Sequence, residues 1–371
     1  MYRRAAVVGV TQVRQWGATE TVAQVFEKLG HNTGNMVFTE ALLRVLYEPT
    51  ATSFSLTREE TESRDAIVLA AANWINEFDD YGWLATAIEG TTLPTFLVGV
   101  GAQAGLDHKI PRLSAGTQRM LKIISERSVL IAARGEFTCE VLAHYGITNA
   151  WPVGCPSLLL AGARGPRFSH PPSLDNVVVH ATRHGFNRCD ELQSWLYREA
   201  FRADLELLIQ SELADVYYAL GKTNNPQILA RADPILQQIY QTDNVSAVAD
   251  YLYRRGLFFT NFEQWTSHMR QRSFCVGSRI HATIASIIAG TPATLIAHDS
   301  RTLELAKAMG IPFVTSLELN IKESLPLELL LSTHSRENNH SHINKYYLRY
   351  LDFFKKNDLA IAPEYTVYYS T

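Results

Sequence analysis

From Asp65 onward, short apolar runs rich in β-branched residues alternate with longer amphipathic stretches, the pattern of repeated β-α units around a parallel sheet. In the first half this predicts strands at 66–71, 95–100 and 128–132. Helices are predicted at 36–46, 80–88, 117–125 and 136–144, the last ended by Gly146, which tolerates the left-handed conformation. Residues 161–176 are dense in Gly, Pro and Ser and carry no apolar period, so they read as an extended connection. Beyond it the alternation restarts with a strand at 177–180, a helix at 190–211, a strand at 215–219 and a helix at 245–255. Short segments at 257–259, 262–270, 273–276, 280–289, 293–297, 302–309 and 312–315 complete it. Residues 333–344 are polar and read as loop. The aromatic, basic stretch 345–356 reads as a helix that packs back on the first domain rather than one lying on a membrane surface.

A chain of 371 residues fits two domains of roughly 150 to 200 residues each. The expected division is a first α/β domain at 1–165, a second at 176–330 and a C-terminal segment at 331–371. Both domains are predicted to be doubly wound and to face a cleft, where a ligand would lie at the C-terminal ends of the strands.

Composition narrows the partners. With 46% hydrophobic and 19% charged residues and a net charge of −3, the chain lacks the basic excess that a nucleic-acid backbone demands. The apolar run at 5–10 is too short for a secretory signal, and no stretch reaches the roughly 18 apolar residues of a membrane span. A cytoplasmic protein without a transmembrane segment is expected, with peripheral association at the inner membrane face left open. The four cysteines, Cys139, Cys155, Cys189 and Cys275, show no metal-ligand spacing, so neither a metal nor a disulfide framework is expected. Cys139 and Cys275 sit in apolar contexts and read as packing residues.

Candidate chemistry concentrates in SFCVGSRIHATIASIIAGTPATLI, residues 273–296. A strand ends near Val276, Gly277 and Ser278 turn the chain, and a helix begins near Arg279 with Ser278 placed to cap it. The helix amino end and the Arg279 guanidinium favour a carboxylate or phosphate. His281, in the first turn, is a candidate proton donor or acceptor. The loop His31-Asn32-Thr33-Gly34-Asn35 precedes another helix and can wrap a phosphate or sugar hydroxyls, or simply cap that helix. VGVGAQAG, residues 98–105, departs from a dinucleotide fingerprint, so close backbone packing or lining of the cleft accounts better for its glycines. Arg134 and Arg183 follow strands and would point toward the cleft, although an arginine in such a place is more often part of a structural ion pair; Asp299 reads first as a helix cap, with acceptor binding the alternative.

Together these motifs resemble the polysaccharide pyruvyl transferase family, over roughly residues 29–314. The signatures are the loop Asn32 to Asn35, VGVGAQ, the strand ending in Arg134 with Gly146 after its helix, and GSRIHATIASIIAGTPATLI. The resemblance implies two Rossmann-like domains in a GT-B-like arrangement, the first on the acceptor side and the second on the donor side. It implies a transferase that moves the pyruvyl or enolpyruvyl group of phosphoenolpyruvate to a sugar hydroxyl of a cell-surface polysaccharide or a lipid-linked precursor, commonly as a ketal, with no further cofactor. By the same resemblance His281 and Arg279 are catalytic, Arg183, Arg279, Ser278 and Arg134 bind the donor, and Asn32, Asn35, Gly101 and Gln103 face the acceptor. Two alternatives stay open: a GT-B glycosyltransferase using a nucleotide sugar, and a non-catalytic glycan-binding protein of the same fold.

Overall fold

The computed structural model describes residues 1–162, 164–168, 171–184, 191–222, 226–334 and 336–366, with backbone only at 226, 228, 229 and 336–340. The strands are β1 (Ala5–Val8), β2 (Thr50–Thr52), β3 (Ala66–Ala70), β4 (Thr95–Val100), β5 (Ile131–Ala133), β6 (Ala150–Pro152), β7 (Val177–His180), β8 (Glu206–Leu208), β9 (Gly256–Leu257), β10 (Phe274–Gly277), β11 (Ala293–Ala297) and β12 (Phe313–Thr315). They form two six-stranded sheets, ordered β2-β1-β3-β4-β5-β6 and β12-β11-β10-β7-β8-β9, with every pairing parallel. Helices cover both faces, so β3, β4, β7, β10 and β11 are buried along their whole length. That explains why their sequences read as unbroken apolar runs instead of alternating ones.

Each sheet reverses its winding once, between β1 and β3 in the first and between β7 and β10 in the second. Such reversals open a crevice at the C-terminal ends of the strands. The two crevices face one another, giving the doubly wound, GT-B-like architecture.

Several segments depart from the sequence expectation. The apolar run at 5–10 holds β1 (Ala5–Val8), which lies next to the edge of the first sheet, paired with β2 and β3. The strand expected at 128–132 begins at Ile131, because the helix Ala115–Arg127 runs on to Ser128. The single helix expected at 190–211 is a helix, Leu192–Arg202, followed by β8; Asp204 takes φ +50° between them, and residue 190 lies outside the described residues. The short run Leu205 to Ile209 fits both the helical and the strand period, so periodicity alone does not separate it from the helix. The strand expected at 215–219 is the helix Leu213–Ala219, in which Asp215, Val216, Tyr217 and Tyr218 are buried; burial overrides the β-preference of Val and Tyr. The loop expected at 333–344 lies largely in the helix Arg336–Lys356.

That last helix is pinned to the end of β6. The Tyr350 hydroxyl donates to Gly154 O at 2.8 Å, Arg349 to Pro152 O at 2.8 Å, and the Tyr346 hydroxyl to Cys155 O. No helix of the described residues is long and apolar enough to cross a membrane.

Candidate active site

The second sheet's switch point sets the geometry. Gly277, the last residue of β10, has φ +153°, and a Cβ there would lie 1.7 Å from the His180 carbonyl oxygen at the end of β7. Only glycine allows this approach. It lets Ser278 N–H reach His180 O at 3.0 Å and Arg279 N–H reach His180 Nδ1 at 3.0 Å. The Ser278 hydroxyl is bound to Gln193 and accepts Thr182 N–H at 3.0 Å, so it ties strand ends together and does not cap the helix. The cap position of the helix Ile280–Ala289 belongs to Arg279, with no side-chain cap bond. Arg279 donates from Nε to Ala181 O at 3.3 Å and from Nη2 to the Ser211 hydroxyl.

Across the cleft, Asn32 Oδ1 accepts Gly34 N–H at 3.0 Å in an Asx turn, and Asn35 Nδ2 donates to the Leu29 and Gly30 carbonyls. These bonds build the amino end of the helix Asn35–Val45, which meets the second sheet through Thr33 N–H to Gln210 O at 3.1 Å. Arg134, directly after β5, is 2% exposed and donates from Nε to Gly99 O at 2.8 Å. A Cβ on Gly101 would lie 2.5 Å from Arg134 Cδ, so the second glycine of VGVGAQ makes room for that arginine.

Between these elements lies a small cavity of about 40 Å³ that gathers Asn32, Asn35 and Asn73 from one side, Ser278, Arg279 and His281 from the other, and Arg134, Gln210 and Arg301 around them. Arg134 Nη2, Arg301 Nε, Gln210 Oε1 and Thr33 Oγ1 are buried and lack a hydrogen-bond partner among the described residues. Burial pushes the Arg279 guanidinium down to about 10, with Arg301 and Arg183 adding to the effect and Tyr197 and Glu212 opposing it. Burial also holds His281 well below the usual histidine range, reinforced by Arg134, Arg301 and Arg279, so the resting imidazole is neutral. Its ring is 7% exposed and packs against Phe38, with centroids 5.2 Å apart. Several positive charges around unfilled donors, in a low-dielectric cavity, describe a site for a multiply charged anion.

Behind Arg279, His184 Nε2 lies 3.1 Å from Asp215 Oδ2 and 3.7 Å from Glu212. These three are the one group among the described residues whose ligand atoms are close enough together to hold a metal ion, all within 4.8 Å. They already form a linked wall, for Tyr240 donates to the other Asp215 oxygen at 2.7 Å.

Over residues 32–300 the sequence matches the family described as polysaccharide pyruvyl transferase. The chain belongs to that family. It is therefore a transferase. No curated protein gives a significant match. Similar solved structures include a UDP-N-acetylglucosamine 2-epimerase from Rickettsia bellii, at 12% identity, TM-score 0.43 and 96% coverage of both chains. Another is a putative UDP-N-acetylglucosamine 2-epimerase from Listeria monocytogenes, at 13% identity and TM-score 0.39, covering 92% of this chain and 79% of that one.

Of the residues singled out in this transferase's sequence, Asn32, Asn35, Arg134, Ser278, Arg279 and His281 line one cavity. Arg183 sits exposed at the rim, its guanidinium 3.5 Å from His31 O. Gly101 lies behind Arg134, and Gln103 accepts Asn73 Nδ2 at 2.6 Å, so it acts on the cavity through Asn73. Asp299 caps the helix Ser300–Met309, accepting Thr302 N–H at 2.7 Å. Burial would raise its carboxyl, but Arg301, His298 and the Thr302 bonds hold it at about 2. Cys275 is buried and pushed up to about 12, Cys139 is half-buried, and Cys189 lies outside the described residues.

Sequence reading missed Arg301, Gln210, Asn73 and Cys155. Arg301 looks like a surface partner of Asp299, two residues away, and the 3.2 Å pair does form, but its Nε is buried without a partner among the described residues. Its signal was a basic residue in the first turn after a buried strand, the same signal that flagged Arg279.

Proposed function

We propose that this transferase binds phosphoenolpyruvate between Arg134, Arg279 and Arg301 and passes its pyruvyl group to a sugar hydroxyl, forming a ketal. One observation carries the reading: cations from both lobes converge on one cavity, and two of them, Arg134 and Arg301, keep a buried N–H without a partner. A ligand with a phosphate at one end and a carboxylate at the other answers that pattern better than a singly charged ion, since each arm would find its own guanidinium. Arg183 at the rim adds attraction during entry.

The chemistry needs a proton at the methylene carbon. That carbon takes a proton from His281, the electron pair of the double bond becoming the new C–H bond. The acceptor oxygen bonds to the carbon carrying phosphate and carboxylate, and its own proton leaves to solvent. Expulsion of phosphate and attack by a second hydroxyl of the same sugar, whose proton passes to the departing phosphate, complete the ketal and release inorganic phosphate. The guanidinium groups stabilise the charge that builds on the leaving phosphate. Asn32, Asn35 and Asn73 line the cavity on the first-sheet side, and in this reading they hold acceptor hydroxyls. The acceptor is a sugar of a surface polysaccharide or its lipid-linked precursor, and no metal or further cofactor enters a step.

Phosphate release from phosphoenolpyruvate in the presence of an acceptor glycan, with calorimetric binding of phosphoenolpyruvate alone, tests this. Arg134→Ala and Arg301→Ala are each expected to weaken binding by about 10- to 100-fold, whereas His281→Ala keeps binding and loses about 100-fold or more in turnover. Absence of phosphoenolpyruvate binding at millimolar concentration overturns the reading.

A further inference from the structure

Cys155 follows β6 and is fully buried beneath the cavity. Its Sγ lies 3.6 Å from His281 Nε2 and accepts the Ser157 hydroxyl at 3.2 Å. The backbone around it is clamped by the Tyr346 and Tyr350 hydroxyls, which donate to Cys155 O and Gly154 O. The backbone that carries the sulfur is therefore held in place. The other ring nitrogen, Nδ1, faces the wall made by Gly34 and Gln210: a Cβ built on Gly34 would sit 3.0 Å from Nδ1 and 2.8 Å from Gln210 Nε2. A side chain at position 34 would therefore crowd Nδ1.

We propose that Cys155 is the positioning residue of His281, its sulfur accepting the Nε2–H so that Nδ1 is the nitrogen that takes up a proton and hands it to the substrate. The idea rests on the pyruvyl-transfer reading for its catalytic consequence but not for the tautomer itself. Sulfur is a weak but adequate acceptor, and fixing one nitrogen fixes the role of the other. The charged groups that face the ring are Arg134 after β5, Arg279 at the helix cap and Arg301 on the helix Ser300–Met309. Phe38 and Gly34, on the helix side opposite, bring no charge. The Cys155 sulfur is the side-chain hydrogen-bonding partner that the fold places beside Nε2. In the transfer step Nδ1–H breaks as the methylene C–H forms, and His281 returns to the neutral Nε2–H form with its sulfur contact unchanged.

The test is the imidazole ¹⁵N spectrum of His281 in the full-length resting protein, beside steady-state kinetics of Cys155→Ala and Cys155→Ser. The wild type is expected to show the Nε2–H tautomer, and Cys155→Ala a mixture of tautomers. Cys155→Ala should lose about 10- to 100-fold in kcat with the KM for phosphoenolpyruvate unchanged within about twofold. Cys155→Ser, whose hydroxyl still accepts, should recover most of that loss and keep the wild-type tautomer. An Nδ1–H tautomer in the wild type overturns the proposal, as does a folded Cys155→Ala with unaltered kcat and tautomer. Should Cys155→Ala fail to fold, a folded Cys155→Ser that loses the wild-type tautomer overturns it equally. The spectrum needs no turnover, so failure of the pyruvyl-transfer reading leaves this result standing on its own.

Discussion

His180 Nδ1 accepts the backbone N–H of Arg279 at 3.0 Å, so the last residue of β7 fixes the residue at the cap of the helix that carries His281. An acceptor nitrogen must be unprotonated. Burial, with Arg279 adding to it, pushes His180 down to about 3. The folded form thus stays neutral where an unfolded histidine takes a proton, and its stabilising contribution is full above about 6.5 and is lost as the pH falls toward 3. His180→Asn should lower stability at pH 7 by about 1–3 kcal/mol and flatten the decline between pH 6.5 and 3. Urea unfolding at a series of pH values reads both, and an unchanged slope would show that His180 is not the titrating group.

Gly277 makes the same junction possible. A methyl group 1.7 Å from the His180 carbonyl oxygen cannot be accommodated by a side-chain shift, because the obstacle is backbone. Gly277→Ala is expected to cost more than about 4 kcal/mol and to leave little soluble folded protein. Gly146→Ala is the control: Gly146 has φ +80° but nothing within 4 Å of a Cβ, so only the conformational cost of about 1–2 kcal/mol applies. Comparable melting temperatures for the two variants would disprove the steric argument.

Much of this architecture was legible because parallel strands buried on both faces leave an unmistakable apolar run: β4, β7 and β11 are where the pattern puts them. The R-x-H motif was legible because it lies at the junction of such a run and a helix. What failed did so for physical reasons. β1 and β8 are four and three residues long, and only three residues separate β8 from the end of the preceding helix. Asp215 looked like part of a strand, yet it is buried with His184 and Tyr240 as partners that sequence cannot reveal. Cys155 and His281 are 126 positions apart, so only the fold shows their contact.

Glu304 joins the two lobes, accepting Thr138 N–H at 3.1 Å and the Thr138 hydroxyl at 2.6 Å. Burial raises its carboxyl to about 7, outweighing those bonds and Arg134. A carboxyl raised on folding keeps its proton where the unfolded chain has released it, so its effect favours the fold below about 4.5, and stability falls as the pH rises to 7. Glu304→Gln should be near neutral at pH 4.5 and gain on the order of 2–3 kcal/mol over wild type at pH 8. Thermal melts across that range decide it; a wild-type-like pH slope in the variant would mean the carboxyl is already ionised in the fold.

Ligand binding should run the His281 titration backwards. In the resting protein burial and the charges of Arg134, Arg301 and Arg279 keep the imidazole neutral at pH 7. An anion carrying phosphate and carboxylate among those guanidinium groups cancels their repulsion and raises the histidine, so binding takes up a proton. Calorimetry of phosphoenolpyruvate binding at pH 7, in buffers of different ionisation enthalpy, is expected to show uptake approaching one proton per site in the wild type. The same titration with His281→Asn should show little or none. Buffer-independent heats in the wild type would mean that His281 stays neutral in the complex, leaving it a hydrogen-bonding partner of the donor and moving the search for the proton source to the donor phosphate itself.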